Sequence, residues 1–453
     1  MHTTLKINWK ISTILLFGFT NMIFAWNGEY EGGDIANARR SYLGPEPIDL
    51  WGAWSGFFYA NLPNTFLPWG AWLFLIQISC TTLGLIFILN ALQNTRQFPI
   101  KTYLTLTYFI ISFSSYLTRD STMACLFVLG LGLLFQASHK PKIQRLCLQI
   151  LGFTFIVLAV SFRPWLSPVI FCIYFYFFEM KIKTIALVLF LLVSPIAIEL
   201  LAFQSTTFKT IRPELQVMVM DSATMACIST NEAARLNATI LLNSLNKSNF
   251  SNSQLCAEYR YNSWQSVASF ETSLSQMGVN ENVNLLESNS LIKISTELNL
   301  ESYINFRKNW IYLIFNHPED YVQVKLIQLS QTLISGDMSI FKFPDDNVIK
   351  NLVVAVYHAP YNLAVALHML SPIMTLIFGT CFLLFKFKNY PVRKLLVNKQ
   401  IVLLYIFLIA WVLLTTLAFI GDSGRFTYLS GFVFYLLVLN IPEKAPINFL
   451  SSK

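Results

Sequence analysis

Runs approaching or reaching twenty apolar residues, separated by short polar turns, recur along this 453-residue chain and leave it few ways to fold. A run of that length matches the hydrocarbon core of a bilayer when it is helical. Apolar runs bounded by charge predict about ten spans, at 10–26, 67–92, 101–117, 121–137, 146–162, 165–180, 184–203, 359–385, 400–420 and 427–441. Charged residues make up only 12% of the chain, about half the share of a soluble protein. The expected fold class is therefore an all-α polytopic membrane protein. The N-terminal run ends Phe24-Ala25-Trp26 with no small-x-small cleavage site, so it reads as a retained first span.

Charge placement gives the orientation. With the N-terminus in the cytoplasm, the short inner segments collect sixteen basic residues, from Lys6 and Lys10 through Lys140, Lys142 and Arg145 to Lys453. Only Glu179 and Glu443 oppose them there, while the short outer segments hold five basic residues: Arg39, Arg40, Arg119, Arg163 and Arg425. This is the positive-inside pattern. It accounts for the net charge of +8 without a nucleic-acid partner.

The predicted organisation has three parts. Residues 1–203 carry spans 1–7 with a first outer loop at 27–66, 204–358 form a periplasmic domain, and 359–453 carry spans 8–10. The outer domain is expected to be mostly helical, because Val322, Leu326, Leu329 and Leu333 return at helical spacing and offer a face to bury. Cys227 and Cys256 both fall in it. An oxidising compartment makes them a candidate disulfide, with two free buried thiols as the other reading. The remaining five cysteines lie in or beside apolar segments, where a lone Cys is usually a small hydrophobe.

On this topology the outer face gathers charge on short turns bound to spans. The first loop, WNGEYEGGDIANARRSYLG, holds Glu29, Glu31, Asp34, Arg39 and Arg40; later turns bring Arg119-Asp120, Arg163 before Pro164, and Asp422 with Arg425. Glu199 sits near the outer end of the seventh span. Charges at membrane level are costly unless paired or functional. Each of these residues also fits a plainer role as an interfacial marker, a local ion pair or a solvated loop face. Asp34 is the strongest functional candidate, since two glycines precede it and let backbone approach a ligand closely. His317 precedes Pro318 and is read first as the end of a helix.

A carboxylate beside several arginines at an outer membrane surface suits a lipid that carries a phosphate and a sugar. The carboxylate takes a proton from an acceptor hydroxyl as it attacks the anomeric carbon. The arginines hold the lipid phosphate through charge-assisted hydrogen bonds. No nucleotide is needed, because the activated sugar arrives on the lipid.

The chain resembles the C-type (GT-C) glycosyltransferases, which use polyprenyl-phosphate sugars. Three stretches carry the resemblance: GGD at 32–34 followed by DLWGAWSGFFYA, WIYLIFNHPEDYVQVKL at 310–326, and GDSGRFTY at 421–428. The resemblance implies a membrane-lying helix in the first loop, Asp34 as catalytic base, Asp120 as a second outer-loop acid, and Arg425 as a phosphate ligand. Arg39, Arg40, Arg119 and Arg163 complete the candidate substrate-binding set. It further implies an undecaprenyl-phosphate-linked sugar donor such as a glucosyl one, a lipopolysaccharide or other glycan acceptor, inversion at the anomeric carbon, and the bacterial inner membrane. The acid that Asp120 matches helps bind a metal in some members, so a divalent metal is the one cofactor the resemblance allows, although no DxD or Asp-Glu pair stands at Asp34. The main alternative is an O-antigen polymerase or ligase, which would lean on arginine and histidine rather than a first-loop acid. A transporter is the third reading, with Glu199 and His368 as its nearest mid-span candidates.

Overall fold

The computed structural model describes residues 9–24, 33–44, 53–93, 100–114, 118–178, 184–204, 214–244, 256, 300–334, 371–386, 399–418 and 424–440. All sixteen regular elements longer than one turn are α-helices among these residues. Four are long and apolar enough to cross a membrane, at Trp69–Leu92, Arg119–Ala137, Lys142–Ser161 and Ile185–Gln204. The chain is thus a helical, multi-pass membrane protein in class.

The helices are α1 (Trp9–Phe24), α2 (Gly33–Leu43), α3 (Ala53–Ala60), α4 (Trp69–Gln93), α5 (Ile100–Ser114), α6 (Arg119–Ala137), α7 (Lys142–Ser161), α8 (Pro168–Phe177) and α9 (Ile185–Gln204). Then follow α10 (Glu214–Ile228), α11 (Glu232–Asn243), α12 (Leu300–Asn316), α13 (Pro318–Ile334), α14 (Pro372–Lys386), α15 (Lys399–Ala418) and α16 (Gly424–Asn440). The chain divides into two compact units, Phe208–Ser335 with Val412–Thr427, and the remainder.

In the larger unit α6 is the central post, buried along nearly its whole length between α4 and α7. Lipid tails are as apolar as leucine, so such helices associate by close packing rather than by escape from water. Glycine makes the approach. A Cβ on Gly132 would lie 2.5 Å from the Gly84 carbonyl oxygen, and one on Gly130 would lie 2.7 Å from that of Gly152. Only backbones bare of side chains fit there. Hydroxyls add specific ties: Thr81 meets Ser114 at 2.7 Å between α4 and α5, and the Tyr176 hydroxyl donates to the Leu437 carbonyl at 2.9 Å.

The segment expected as a span at 165–180 contains Pro168 and is preceded by Pro164, and the two prolines shape it. Arg163 stands outside the helical region, as a residue before proline should, and Pro164–Leu166 make one 3₁₀ turn before Pro168 opens α8. With ten residues, α8 rises about 15 Å, half the hydrocarbon core. Lys399 donates to the carbonyl of Phe178 at its end (2.9 Å).

The smaller unit is helical as well. Leu215, Met218 and Val219 of α10 pack with Tyr303, Phe306 and Leu313 of α12 and Val324 of α13. Cys227 and Cys256 are joined in a disulfide, with Cα atoms 5.3 Å apart. The break at His317-Pro318 does end one helix and start the next, and Asn237 meets the His317 ring at 3.1 Å. One expectation is corrected: Val322 and Leu326 are exposed, and α13 buries Asp320 and Val324 instead. The reason is polar. Lys325 pairs with the buried carboxylate of Asp221 at 2.8 Å and Ser229 bonds Asp320, which turns that side of α13 towards α10.

Candidate functional site

The charged turns of the larger unit meet around α3. Thr118 caps α6, its hydroxyl accepting from the amide of Ser121 at 3.1 Å. That starts the helix at Arg119 and puts Asp120 in the first turn, where a helix N-terminus favours negative charge. Arg163 leaves the end of α7 and reaches it, with Nε and Nη2 donating to the same oxygen, Oδ1, at 3.1 and 2.9 Å. Both side chains are almost fully enclosed, Arg163 at 1% and Asp120 at 4% exposure. The Arg163 guanidinium also stands 5.3 Å from the centre of the Trp165 ring.

Beside this pair, α3 is held at both ends by charges from other elements. The two carboxylate oxygens of Glu199, on α9, accept the first amides of α3, from Ala53 at 2.6 Å and Trp54 at 2.9 Å. At the other end Arg39 Nε donates to the carbonyl of Tyr59 at 3.2 Å, while its guanidinium stacks 5.1 Å from the Trp69 ring centre. An acid at the N-terminus and a base at the C-terminus match the helix dipole. The eight residues of α3 are far fewer than the ~12–15 an isolated helix needs, so these clamps and its packing hold it. Gly56 lets α3 sit closely on α2, where a Cβ would come within 3.2 Å of the Ala38 carbonyl oxygen.

The inner face of α3 is aromatic and hydrogen-bonded. Phe58 packs edge-on against Phe162 at 5.3 Å, with Trp54 and Tyr59 around the same ring at 6.1 and 5.9 Å. The Tyr59 hydroxyl donates to Thr122 Oγ1 at 3.2 Å, and Gln77 Nε2 donates to the same oxygen at 2.8 Å. Arg119 is buried and close enough to Tyr59 and Glu199 for its charge to act on both.

Four of the expected site residues, Arg39, Arg119, Asp120 and Arg163, are therefore gathered about α3. Arg40 lies exposed on α2. Asp34 is the second residue of α2 and Arg425 the second of α16, and the side chains of both lie outside the described residues, as do Glu29, Glu31 and Asp422. The sequence pointed to Glu199 as a charge near a span end and as a mid-span candidate for a transporter; its grip on α3 joins positions 146 apart in the chain and has no local signal. Thr122 and Gln77, ordinary polar residues in apolar helices, gave none either. Among the described residues there is no group of three or more His, Cys, Asp or Glu side chains that could hold a metal ion.

No family model, no curated protein and no solved structure matches this chain.

Proposed function

We propose that the protein is a membrane glycosyltransferase that moves a sugar from a polyprenyl phosphate to a cell-surface glycan on the outer face of a bacterial inner membrane. The observation that carries this reading is the meeting of Arg39, Arg119, Asp120 and Arg163, from three separate predicted outer turns, around one short aromatic helix. A helix with Trp54, Phe57 and Phe58 along it and charges at both ends suits a membrane-water boundary. The disulfide supports an oxidising compartment for the smaller unit. Ten spans with the N-terminus in the cytoplasm complete the proposed topology, the sixth of them built from the 3₁₀ turn at Pro164–Leu166 together with α8.

In the proposed reaction the acceptor hydroxyl attacks the anomeric carbon and gives its proton to the Asp34 carboxylate. The bond from that carbon to the phosphate oxygen breaks, and polyprenyl phosphate leaves with the electron pair. One displacement inverts the anomeric centre. Arg40, exposed on α2, is a candidate to meet the phosphate. Arg39 and Arg163 grip protein groups and act by positioning: Arg39 ties α2, which carries Asp34, to the Tyr59 carbonyl of α3, and Arg163 ties Asp120 of α6 to the turn after α7.

The test uses membranes holding wild type or Asp34→Asn at matched expression, given sugar-labelled polyprenyl-phosphate-glucose and lipopolysaccharide from a host without the gene. Label reaching the glycan with wild type alone supports the transferase and its base. Transfer by both variants moves the base elsewhere. Absence of transfer by either, with chain-length change in the same glycan, favours the polymerase.

A further inference from the structure

Away from the charged cluster, α7, α8 and α9 enclose an open-sided groove of about 650 Å³. Its walls are Leu146, Ile150 and Val157 of α7, Tyr174 of α8 with Phe178 just past its end, and Leu187 and Leu201 of α9. From Leu146 to Leu158 the α7 wall rises roughly 18 Å, about the depth of one bilayer leaflet. On that side α8 ends at Phe177, and Tyr174 and Phe178 line the groove among the described residues.

The walls are mostly apolar, with Gln149, Thr154, Tyr174 and Ser194 as the polar lining residues. Thr154 and Ser194 line the groove, yet their hydroxyls donate to their own helices, to the Ile150 carbonyl at 2.9 Å and the Phe190 carbonyl at 2.6 Å. The outward faces beside it are bare and apolar, with Leu189, Phe190 and Val193 exposed on α9 and Ile143 and Leu151 on α7. Both helices are candidate membrane spans, so lipid is the solvent on this side.

One end of the groove is cationic. Lys142 and Arg145 are exposed at the start of α7, one turn before the lining residues Leu146 and Gln149 and on the same helix face. Arg145 Nε donates to the Lys140 carbonyl at 3.3 Å, which keeps the guanidinium at the helix end. No side chain caps that first turn, where Pro141 is the N-cap, and the positive end of the dipole adds to the two cations.

We propose that this groove binds an anionic phospholipid, with an acyl chain along α7 and α9 and the phosphate at Lys142 and Arg145. The site is separate from the sugar-transfer reaction and requires only that α7 and α9 stand in a bilayer. Its position puts the headgroup at the opposite end of α7 from Arg163.

The experiment is native mass spectrometry of the full chain in detergent, with phosphatidylglycerol and phosphatidylcholine added in equal amounts. Wild type should retain phosphatidylglycerol preferentially. Lys142→Gln with Arg145→Gln, both exposed and so harmless to folding, should cut that preference about ten- to thirtyfold. Ser194→Trp, which fills the groove, should reduce retention of both lipids. Equal retention of the two lipids by wild type, or a preference unchanged in the double variant, overturns the proposal. So does displacement of phosphatidylglycerol by polyprenyl phosphate, which would assign the groove to the carrier lipid. Sugar transfer is measured on the same double variant and is expected to be unchanged, so the two readings fail separately.

Discussion

Arg163 places two of its nitrogens on a single oxygen of Asp120, 43 residues earlier in the chain, with both side chains shut away from solvent. Removing one partner of such a pair strands a buried charge. Asp120→Ala or Arg163→Ala is expected to destabilise the protein by about 3–5 kcal/mol, whereas Asp120→Leu with Arg163→Met should recover much of the loss. Thermal unfolding of the purified variants measures both, and the double-mutant cycle gives the coupling. Additive single effects would show that the pair is not the unit described.

Glu199 uses both oxygens on the first amides of α3. Glutamine keeps one acceptor and replaces the other with a donor, so Glu199→Gln should cost about 1–2 kcal/mol. The loss should be local. Hydrogen exchange of Ala53–Ala60 is expected to quicken about tenfold while α6 is unchanged. Uniform quickening through both helices would mean that α3 has no separate opening for Glu199 to control.

The glycine seam predicts a steep response to one methyl group. At Gly132 an added Cβ meets backbone of α4, which cannot turn aside as a side chain can. Gly132→Ala should therefore destabilise by about 1–3 kcal/mol, and Gly132→Leu should prevent assembly. Size-exclusion profiles and melting temperatures in detergent report the outcome. A tolerated leucine would mean that α4 and α6 stand further apart.

The Cys227–Cys256 bond closes a loop of sequence separation 29, for which chain entropy alone suggests about 3–4 kcal/mol. Cys227→Ser, or reduction with a thiol, should destabilise the Phe208–Ser335 unit by roughly that amount. Protease cutting within that unit, compared with and without reductant, measures it.

Burial first, and then the neighbouring Asp221, hold the Tyr321 hydroxyl well above the usual tyrosine range. A pKa raised on folding means the native state binds the proton more tightly than the unfolded chain. That contribution is complete below about pH 10, the unfolded value, and falls away as pH rises beyond it. Tyr321→Phe should flatten the loss of stability between about pH 9.5 and 11.5. Identical alkaline profiles for the two proteins would remove Tyr321 as a cause.

Several features were legible without coordinates. A helix overlaps each of the ten apolar runs, and four of these helices are long and apolar enough to cross a membrane, because the apolar pattern and the bilayer's demand for internal hydrogen bonds act locally. Local chemistry likewise set the break at His317-Pro318. Pairing was different. Asp120 has Arg119 as its neighbour in the chain, but the structure gives it Arg163; Val322 and Leu326 have helical spacing, but the Asp221–Lys325 pair turns α13 another way. Which acid meets which arginine depends on helix order, depth and rotation. Those follow from backbone approach at Gly84, Gly130, Gly132 and Gly152 and from the clamps on α3. By itself the sequence determined where helices form and that the chain belongs in a membrane. Only the tertiary structure decided which charges meet, since that energy belongs to contacts between residues far apart in the chain.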